Sequence, residues 1–174
     1  MIGNDIVDLA TSRIESNWNR KGFLNKIFTI EEQFQIQNSE NQEIMVWNLW
    51  SRKEAAYKIL NRMTQIRIFN PKQLECTYLE LKDKFIFGKV ISQNNTFLTK
   101  TSITPDFIYT EAVYKNEDFN KIRQIERPKN IIKHAGIPSY YDFNESKIKL
   151  LSITHHGKFE KIITLIDSES RFQF

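Results

Sequence analysis

The sequence predicts an α+β protein in which an antiparallel sheet packs against a long central helix. Residues Glu43 to Arg62 contain no Gly or Pro and repeat apolar side chains at helical spacing, which predicts one long helix. Residues Ile2 to Leu9 are typical of a buried strand, and short runs rich in aromatic and β-branched residues follow Pro71. Without a linker or an internal repeat, residues 1–174 are expected to form a single domain.

Composition and charge limit the functional classes. Hydrophobic residues make up 40% and aromatic residues 13% of the chain, so it should fold rather than stay disordered. The single cysteine excludes an internal disulfide and a cysteine-cluster metal site. We see neither a signal peptide nor an apolar run of ~20 residues, so we expect a soluble cytoplasmic protein without a membrane partner. The net charge of +4 favours acidic partners, but the scattered basic residues do not predict nucleic-acid binding.

The remaining elements follow from local signals. Thr29 and Glu32 form a capping box, which predicts a short helix from about Ile30 to Asn38 before the main helix. The strands predicted after the main helix are Leu74–Leu81, Phe85–Ile91, Thr96–Thr101 and Phe107–Tyr114, with turns at 82–84 and 93–95. Short helices are expected around Asn120–Ile125 and Lys129–Ala135. Two last strands, Ile148–Thr154 and Glu160–Ile166, are expected to flank a turn at 155–157.

Carboxylates from two separate elements suggest a metal site. Trp47, Trp50, Glu54 and Lys58 are three and four residues apart, so they form a stripe beside the buried face of the main helix. By itself, a Glu followed four residues later by a Lys is a common surface pair worth ~0.3–0.5 kcal/mol. Asp5 lies in an apolar strand, where it is either a turn residue or a buried carboxylate with a bound partner. Asp5 and Glu54 are the candidate ligands for Mg²⁺, which prefers oxygen ligands and keeps some of its water.

Other side chains are suited to phosphate. Lys58, one turn after Glu54, could reach the phosphates that such a metal holds. Thr154 and His155, close to Gly157, could bind a further phosphate through hydroxyl, imidazole and backbone N–H donors. A hydrolase built on Ser152 and His155 is not expected, because the chain lacks a Gly-x-Ser-x-Gly elbow.

Three segments together resemble the 4'-phosphopantetheinyl transferase superfamily. They are Gly3-Asn4-Asp5, the helical run from Trp50 to Lys58 (WSRKEAAYK), and Ser152-Ile153-Thr154-His155-His156-Gly157. Their order is similar to that of the small holo-acyl-carrier-protein synthases. The resemblance implies a 4'-phosphopantetheinyl transferase-like fold. It also implies transfer of the phosphopantetheine arm of coenzyme A to a serine of an acyl or peptidyl carrier protein, in fatty acid or secondary metabolite biosynthesis.

The resemblance further implies roles in catalysis. Asp5 and Glu54 would hold Mg²⁺ on the pyrophosphate of coenzyme A, and Lys58 would neutralise a pyrophosphate oxygen. Adenosine 3',5'-bisphosphate would be released. The general base is left open between Asp8 and a metal-bound water.

Binding roles are implied in the same way. The residues expected to contact coenzyme A are Lys58, Lys53, Thr154 and His155. Arg13 is expected to dock the carrier protein, and His156 stands where relatives have a small residue and could crowd the cofactor. A homo-oligomer that shares its sites between copies, such as the trimer of the small members, is one possible assembly. The alternatives are a catalytically inactive coenzyme A-binding homologue with a scaffold or regulatory role, and a nucleic-acid-binding domain supported by charge alone.

Overall fold

The computed structural model describes residues 1–166, with residues 78 and 79 described by their backbone alone. The α-helices are α1 (Leu9–Glu15), α2 (Phe23–Ile27), α3 (Ile30–Gln37) and α4 (Gln42–Thr64). The first strands are β1 (Ile2–Asp8), β2 (Glu75–Lys82), β3 (Phe85–Ser92), β4 (Asn95–Ile103) and β5 (Phe107–Val113). The later strands are β6 (Ile122–Gln124), β7 (Ile131–His134), β8 (Ile137–Asp142), β9 (Lys147–His156) and β10 (Phe159–Leu165).

The strands of residues 1–166 form two antiparallel sheets. Their orders are β1-β5-β4-β3-β2 and β6-β10-β9-β8-β7. Helix α4 packs on the first sheet and buries Val46, Leu49 and Ile59 in the main core, together with Val90 and Ile108 from the strands. The predicted α+β class, with an antiparallel sheet against a long central helix, is therefore confirmed. The second sheet is larger than the sequence led us to expect.

Polar side chains set the ends of the helices. The Oγ1 atom of Thr29 accepts the N–H of Glu32, whose carboxylate accepts the N–H of Thr29 in return, so the predicted capping box is confirmed. Asn41 caps α4, and Gln65, with a φ of 59°, ends it, so this helix is slightly longer than predicted. No helix within residues 1–166 is both long and apolar enough to cross a membrane.

The hairpins of the first sheet agree with the sequence. The strands predicted after Pro71 are all present, with ends that differ from the prediction by at most two residues. The two-residue turns Asp83-Lys84 and Gln93-Asn94 fall within the predicted turns. Asp83 and Gln93 have φ angles of 56° and 50°, which matches the backbone twist of tight hairpins.

The second sheet contains the predictions that are wrong. The helices expected around Asn120–Ile125 and Lys129–Ala135 are replaced by β6, β7 and a 3₁₀ segment at Asn116–Lys121. Ala135 and Gly136 have φ angles of 49° and 79°, so the chain reverses there and β7 pairs with β8. Pairing with a following strand thus overrides the weak helical signal. The last turn likewise begins at Gly157, because β9 continues through His156.

Candidate active site

The absence of a side chain at Gly3 lets β1 lie directly on α4. A Cβ atom at this position would be 2.0 Å from the carbonyl oxygen of Ala55 and 3.3 Å from the Cβ atom of Lys58. Side chains two residues apart on a strand share a face, so Asp5 faces α4 as well. The Gly-x-Asp spacing is therefore a packing requirement, and it brings the Asp5 carboxylate next to the helix that carries Glu54.

The two oxygens of the Asp5 carboxylate differ in their hydrogen-bond partners among the described residues. Oδ1 accepts a hydrogen bond from the hydroxyl of Thr154 at 3.1 Å, and the Nζ atom of Lys58 lies 3.9 Å away. Oδ2 is buried and has no hydrogen-bond partner among the described residues. Burial raises the pKa of Asp5, although the charge of Lys58 and the Thr154 hydroxyl oppose the shift. An unpartnered buried carboxylate oxygen is costly, and a cation would remove that cost.

Glu54 and Lys58 share this poorly solvated environment. Burial, reinforced by the negative charge of Asp5, raises the pKa of Glu54 to about 7. Burial lowers the pKa of Lys58, against the attraction of both carboxylates. The Nζ atom of Lys58 donates to the carbonyl oxygens of Asn4 at 2.6 Å and Ile153 at 3.1 Å. The ammonium group is thus fixed between β1 and β9, where the charges of Asp5 and Glu54 attract it.

The donor set fits a divalent cation that keeps part of its water shell. Within residues 1–166 there is no cluster of three or more His, Cys, Asp or Glu side chains arranged to hold a metal. Carboxylate oxygens are ligands that Mg²⁺ prefers, so Asp5 and Glu54 would be the protein ligands of such a cation, and water or phosphate oxygens would complete the shell. Both line a pocket of about 220 Å³, which we call the carboxylate pocket. Its other lining residues are Ile6, Val7, Ser16, Trp47, Trp50, His155 and His156.

A second, positively charged cavity adjoins the first. This basic cleft, of about 340 Å³, lies between the C-terminal half of α4, the β7–β8 hairpin and β9. Its charged lining residues are Lys58, Arg62, Arg67, Arg127 and Lys133, and no carboxylate of residues 1–166 is among its lining residues. Arg127 pairs with Glu160. His155 lines both cavities, so a single ligand could extend from the carboxylates into the basic cleft.

Sequence reasoning missed most of this cleft. Arg62 follows Lys58 by four residues on α4, and that spacing could have revealed it. Its Nη2 atom donates to the carbonyl oxygen of Leu151 at 2.7 Å, and burial lowers its pKa. Lys133 could not be found, because it reaches the cleft on a hairpin predicted to be a helix. Gly136 belongs to the same hairpin, where an added Cβ atom would lie 2.7 Å from the Arg67 guanidinium carbon.

Alternate side chains of β9 contact the free edge of β1. The hydroxyl of Ser152 accepts the backbone N–H of Asn4 at 3.0 Å, and the hydroxyl of Thr154 accepts that of Ile6 at 3.1 Å. The Nδ1 atom of His156 accepts the backbone N–H of Asp8 at 2.9 Å. Thr154 is 5% exposed and lines neither cavity, so the structure corrects the expectation that it contacts coenzyme A. His155 is exposed and stays available to a ligand. His156 bonds to the strand edge at the border of the carboxylate pocket, and does not line the basic cleft.

The expectation that Lys53 contacts coenzyme A is wrong. Its side chain is completely buried, and its Nζ atom lies 2.6 Å from the Oε2 atom of Glu32. The same Nζ atom donates to the carbonyl oxygens of Ile27 and Pro71. Glu32 also accepts the N–H of Cys76 at 2.7 Å. Lys53 therefore joins α4 to the segments around it and has no access to either cavity.

Asp8 is also not available as a general base. Its Oδ1 atom accepts the N–H groups of Ala10 and Thr11, and its Oδ2 atom accepts that of Lys158. These hydrogen bonds, the one from Thr11 first, lower the pKa of Asp8. The carboxylate caps α1 and fixes the β9–β10 turn, so the structure removes it from the candidates for proton transfer.

Arg13 lies outside both cavities, in the last turn of α1. Its guanidinium bonds to the carboxylate of Glu43 at 3.0 Å on the protein surface. Its role in docking a carrier protein stays a prediction.

Fold and site together define an α+β protein in which a pocket lined by two carboxylates adjoins a basic cleft. The chain belongs to the 4'-phosphopantetheinyl transferase superfamily, whose ACPS family model matches residues 1–101. This match confirms the resemblance drawn from the three segments. It includes Asp5, Glu54 and Lys58, whereas the segment from Ser152 to Gly157 lies beyond it.

Two known proteins resemble parts of the chain. A holo-[acyl-carrier-protein] synthase of Fusobacterium nucleatum subsp. nucleatum is 38% identical over 74 residues, or 42% of this chain and 57% of that relative. The chain thus spans little more than half the length of this curated relative. The apo-ACPS structure from Chronobacterium ammoiniagenes superposes with a TM-score of 0.47 at 15% identity, covering 64% of this chain and 93% of that one.

Proposed function

We propose that this protein transfers the 4'-phosphopantetheine arm of coenzyme A to a serine of an acyl or peptidyl carrier protein. The observation that carries the proposal is the connection, at His155, between the carboxylate pocket and the basic cleft. Coenzyme A carries a pyrophosphate and a separate 3'-phosphate, so it needs positive charge at two places. Family membership and the identity to a holo-[acyl-carrier-protein] synthase support the same activity.

In this proposal, coenzyme A lies across both cavities. Its pyrophosphate is placed beside Asp5, Glu54 and Lys58, and its adenosine end with the 3'-phosphate extends along His155 into the basic cleft. Arg67 and Lys133, both exposed at the cleft, supply charge for that phosphate. In this arrangement, His155 contacts coenzyme A where the two cavities meet.

The residues of this chain would perform distinct tasks in the transfer. The serine hydroxyl gives its proton to water as its oxygen forms a bond to the phosphorus on the pantetheine side, and the bond from that phosphorus to the bridging oxygen breaks. Adenosine 3',5'-bisphosphate leaves with the negative charge. Mg²⁺ bound by Asp5 and Glu54 would neutralise the pyrophosphate. Two of the three N–H donors of Lys58 already bind carbonyl oxygens, so the third is left for a phosphate oxygen.

The carrier protein is expected to approach through electrostatic attraction. The chain has a net charge of +4, and carrier proteins of this kind are typically acidic. We place Arg13, exposed on α1, at this docking surface. A cytoplasmic location, where coenzyme A and carrier proteins are found together, is part of the same proposal.

The direct test is the mass of a carrier protein after incubation with this protein, coenzyme A and Mg²⁺. We expect a gain of one phosphopantetheine group. Asp5→Asn and Glu54→Gln should abolish the gain, because each removes a charge from the carboxylate pair. Glu40→Gln removes a carboxylate from an exposed surface position and should react like the wild type.

A second experiment tests the basic cleft. Combining Arg67→Gln with Lys133→Gln should raise the KM for coenzyme A with a smaller effect on kcat, because both residues act in binding. Lys72→Gln, an exposed position away from the cleft, is the matched control. Binding of coenzyme A without transfer to any of several carriers would favour the inactive homologue. No binding of coenzyme A would refute the proposed function.

A further inference from the structure

Strand β1 is an edge strand whose free side is held by side chains. It is the outer strand of the first sheet, next to β5. Its N–H groups at Asn4, Ile6 and Asp8 are accepted by side chains two residues apart on β9. The spacing matches because side chains on one face of a strand repeat every second residue. Polar side chains of β9 thus take the place of a neighbouring backbone.

Two of these β9 side chains also donate a hydrogen bond, and their acceptors differ. The hydroxyl of Ser152 donates to the amide oxygen of Asn4 at 2.7 Å. The hydroxyl of Thr154 accepts the N–H of Ile6 and donates to Oδ1 of Asp5 at 3.1 Å. A hydroxyl has one proton, so the proton of Thr154 is committed to this carboxylate. The other oxygen of Asp5, Oδ2, is buried and has no hydrogen-bond partner in the part of the chain that the structure describes.

We propose that Thr154 is a positioning residue that orients the Asp5 carboxylate and leaves Oδ2 to bind a divalent cation. The Thr154 hydroxyl donates its proton to Oδ1 of Asp5, and the backbone N–H of Ile6 donates to the same hydroxyl and fixes its orientation. At 5% exposure, Thr154 acts on the ligand only through Asp5. Partners of metal ligands act in this way, and their loss typically weakens metal affinity by about 10- to 100-fold. The inference rests on the proposed function, which places the cation at Asp5 and Glu54.

The test compares Thr154→Val with Thr154→Ser, using Mn²⁺ as the probe. Valine keeps the shape of threonine and removes the hydroxyl, whereas serine keeps the hydroxyl. Free Mn²⁺ is measured by electron paramagnetic resonance in the presence of coenzyme A. We expect Thr154→Val to bind Mn²⁺ about 10-fold more weakly or worse, and Thr154→Ser to retain the wild-type affinity. Affinity for coenzyme A without metal should be the same in all three proteins.

Ser152→Ala is the matched control. Like Thr154, Ser152 has a hydroxyl that accepts a backbone N–H from the edge of β1, and this variant removes it. The Ser152 hydroxyl donates to Asn4 and not to Asp5. A wild-type Mn²⁺ affinity in this variant supports the inference, and a loss equal to that of Thr154→Val overturns it in favour of a general strand-edge role. If Thr154→Val does not fold, Thr154→Ala is measured in its place.

The outcomes separate this inference from the proposed function. If the wild type transfers the phosphopantetheine group and Thr154→Val, or Thr154→Ala in its place, binds Mn²⁺ with wild-type affinity, the role of Thr154 is refuted and the transferase stands. If the wild type neither binds Mn²⁺ with coenzyme A nor modifies a carrier, the proposed function fails, and this inference fails with it.

Discussion

Replacing Glu54 by Gln should stabilise the metal-free protein at alkaline pH while it abolishes transfer. Burial near Asp5 raises the pKa of Glu54 from 4.5 to about 7, so between these values the folded chain holds a proton that the unfolded chain has lost. This contribution to stability is present at low pH and is lost as the pH rises through that window. At about 1.36 kcal/mol per pKa unit, the loss amounts to roughly 3 kcal/mol. The Gln side chain does not ionise, so Glu54→Gln does not undergo this loss of stability.

The assay is denaturant unfolding at about pH 5 and about pH 8 with metal removed by a chelator. From the lower to the higher pH, the free energy of unfolding of the wild type should fall by about 2 to 3 kcal/mol more than that of Glu54→Gln. The surface variant Glu40→Gln should follow the wild type. Adding Mg²⁺ and coenzyme A at the higher pH should stabilise the wild type more than Glu54→Gln, because only the wild type keeps both proposed metal ligands. Identical pH dependences in wild type and Glu54→Gln would refute a buried, proton-binding carboxylate at this position.

Other substitutions test the packing and location of the site. Gly3→Ala places a methyl group 2.0 Å from the backbone of α4, so unfolding experiments should show a loss of about 1–3 kcal/mol or more, with weaker transfer. Lys53→Met leaves the carboxylate of Glu32 buried without its cation and should cost about 3–5 kcal/mol, most of it recovered by adding Glu32→Gln. Mixing Glu54→Gln with Arg62→Ala should not restore carrier modification, because both residues line cavities of one chain; recovery would indicate a site shared between copies.

The sequence predicted which elements carry the candidate site better than it predicted the contacts of each side chain. Asp5, Glu54 and Lys58 could be chosen as candidates because each belongs to a short segment with a recognisable spacing, and the structure brings them close together. Lys53 and Thr154 belong to the same segments, but their side chains face the protein interior. Sequence spacing places a residue on an element, whereas the packing of neighbouring elements decides whether its side chain meets a ligand or another part of the protein.

The fold shows the same division between local and distant information. The capping box at Thr29 and the hairpins of the first sheet depend on nearby residues, and their predictions are confirmed. Strand β7 depends on pairing with β8 across Ala135 and Gly136, and the helical pattern there was misleading. The basic cleft needs this hairpin to bring Lys133 near Arg62 of α4. A cavity built from distant elements could not be predicted when one of those elements was assigned wrongly.

The position of β1 explains why three distant segments can form one site. Gly3 brings α4 against one face of the strand, and β9 bonds to its free edge. The Nζ atom of Lys58 then donates to the carbonyl oxygens of Asn4 on β1 and Ile153 on β9, so the helix joins both strands. Two carboxylates held close together in a poorly solvated place repel each other, and only a rigid framework can keep them there. The hydrogen bonds around β1 supply that rigidity, and in the proposed function they would hold Asp5 in place to bind a cation.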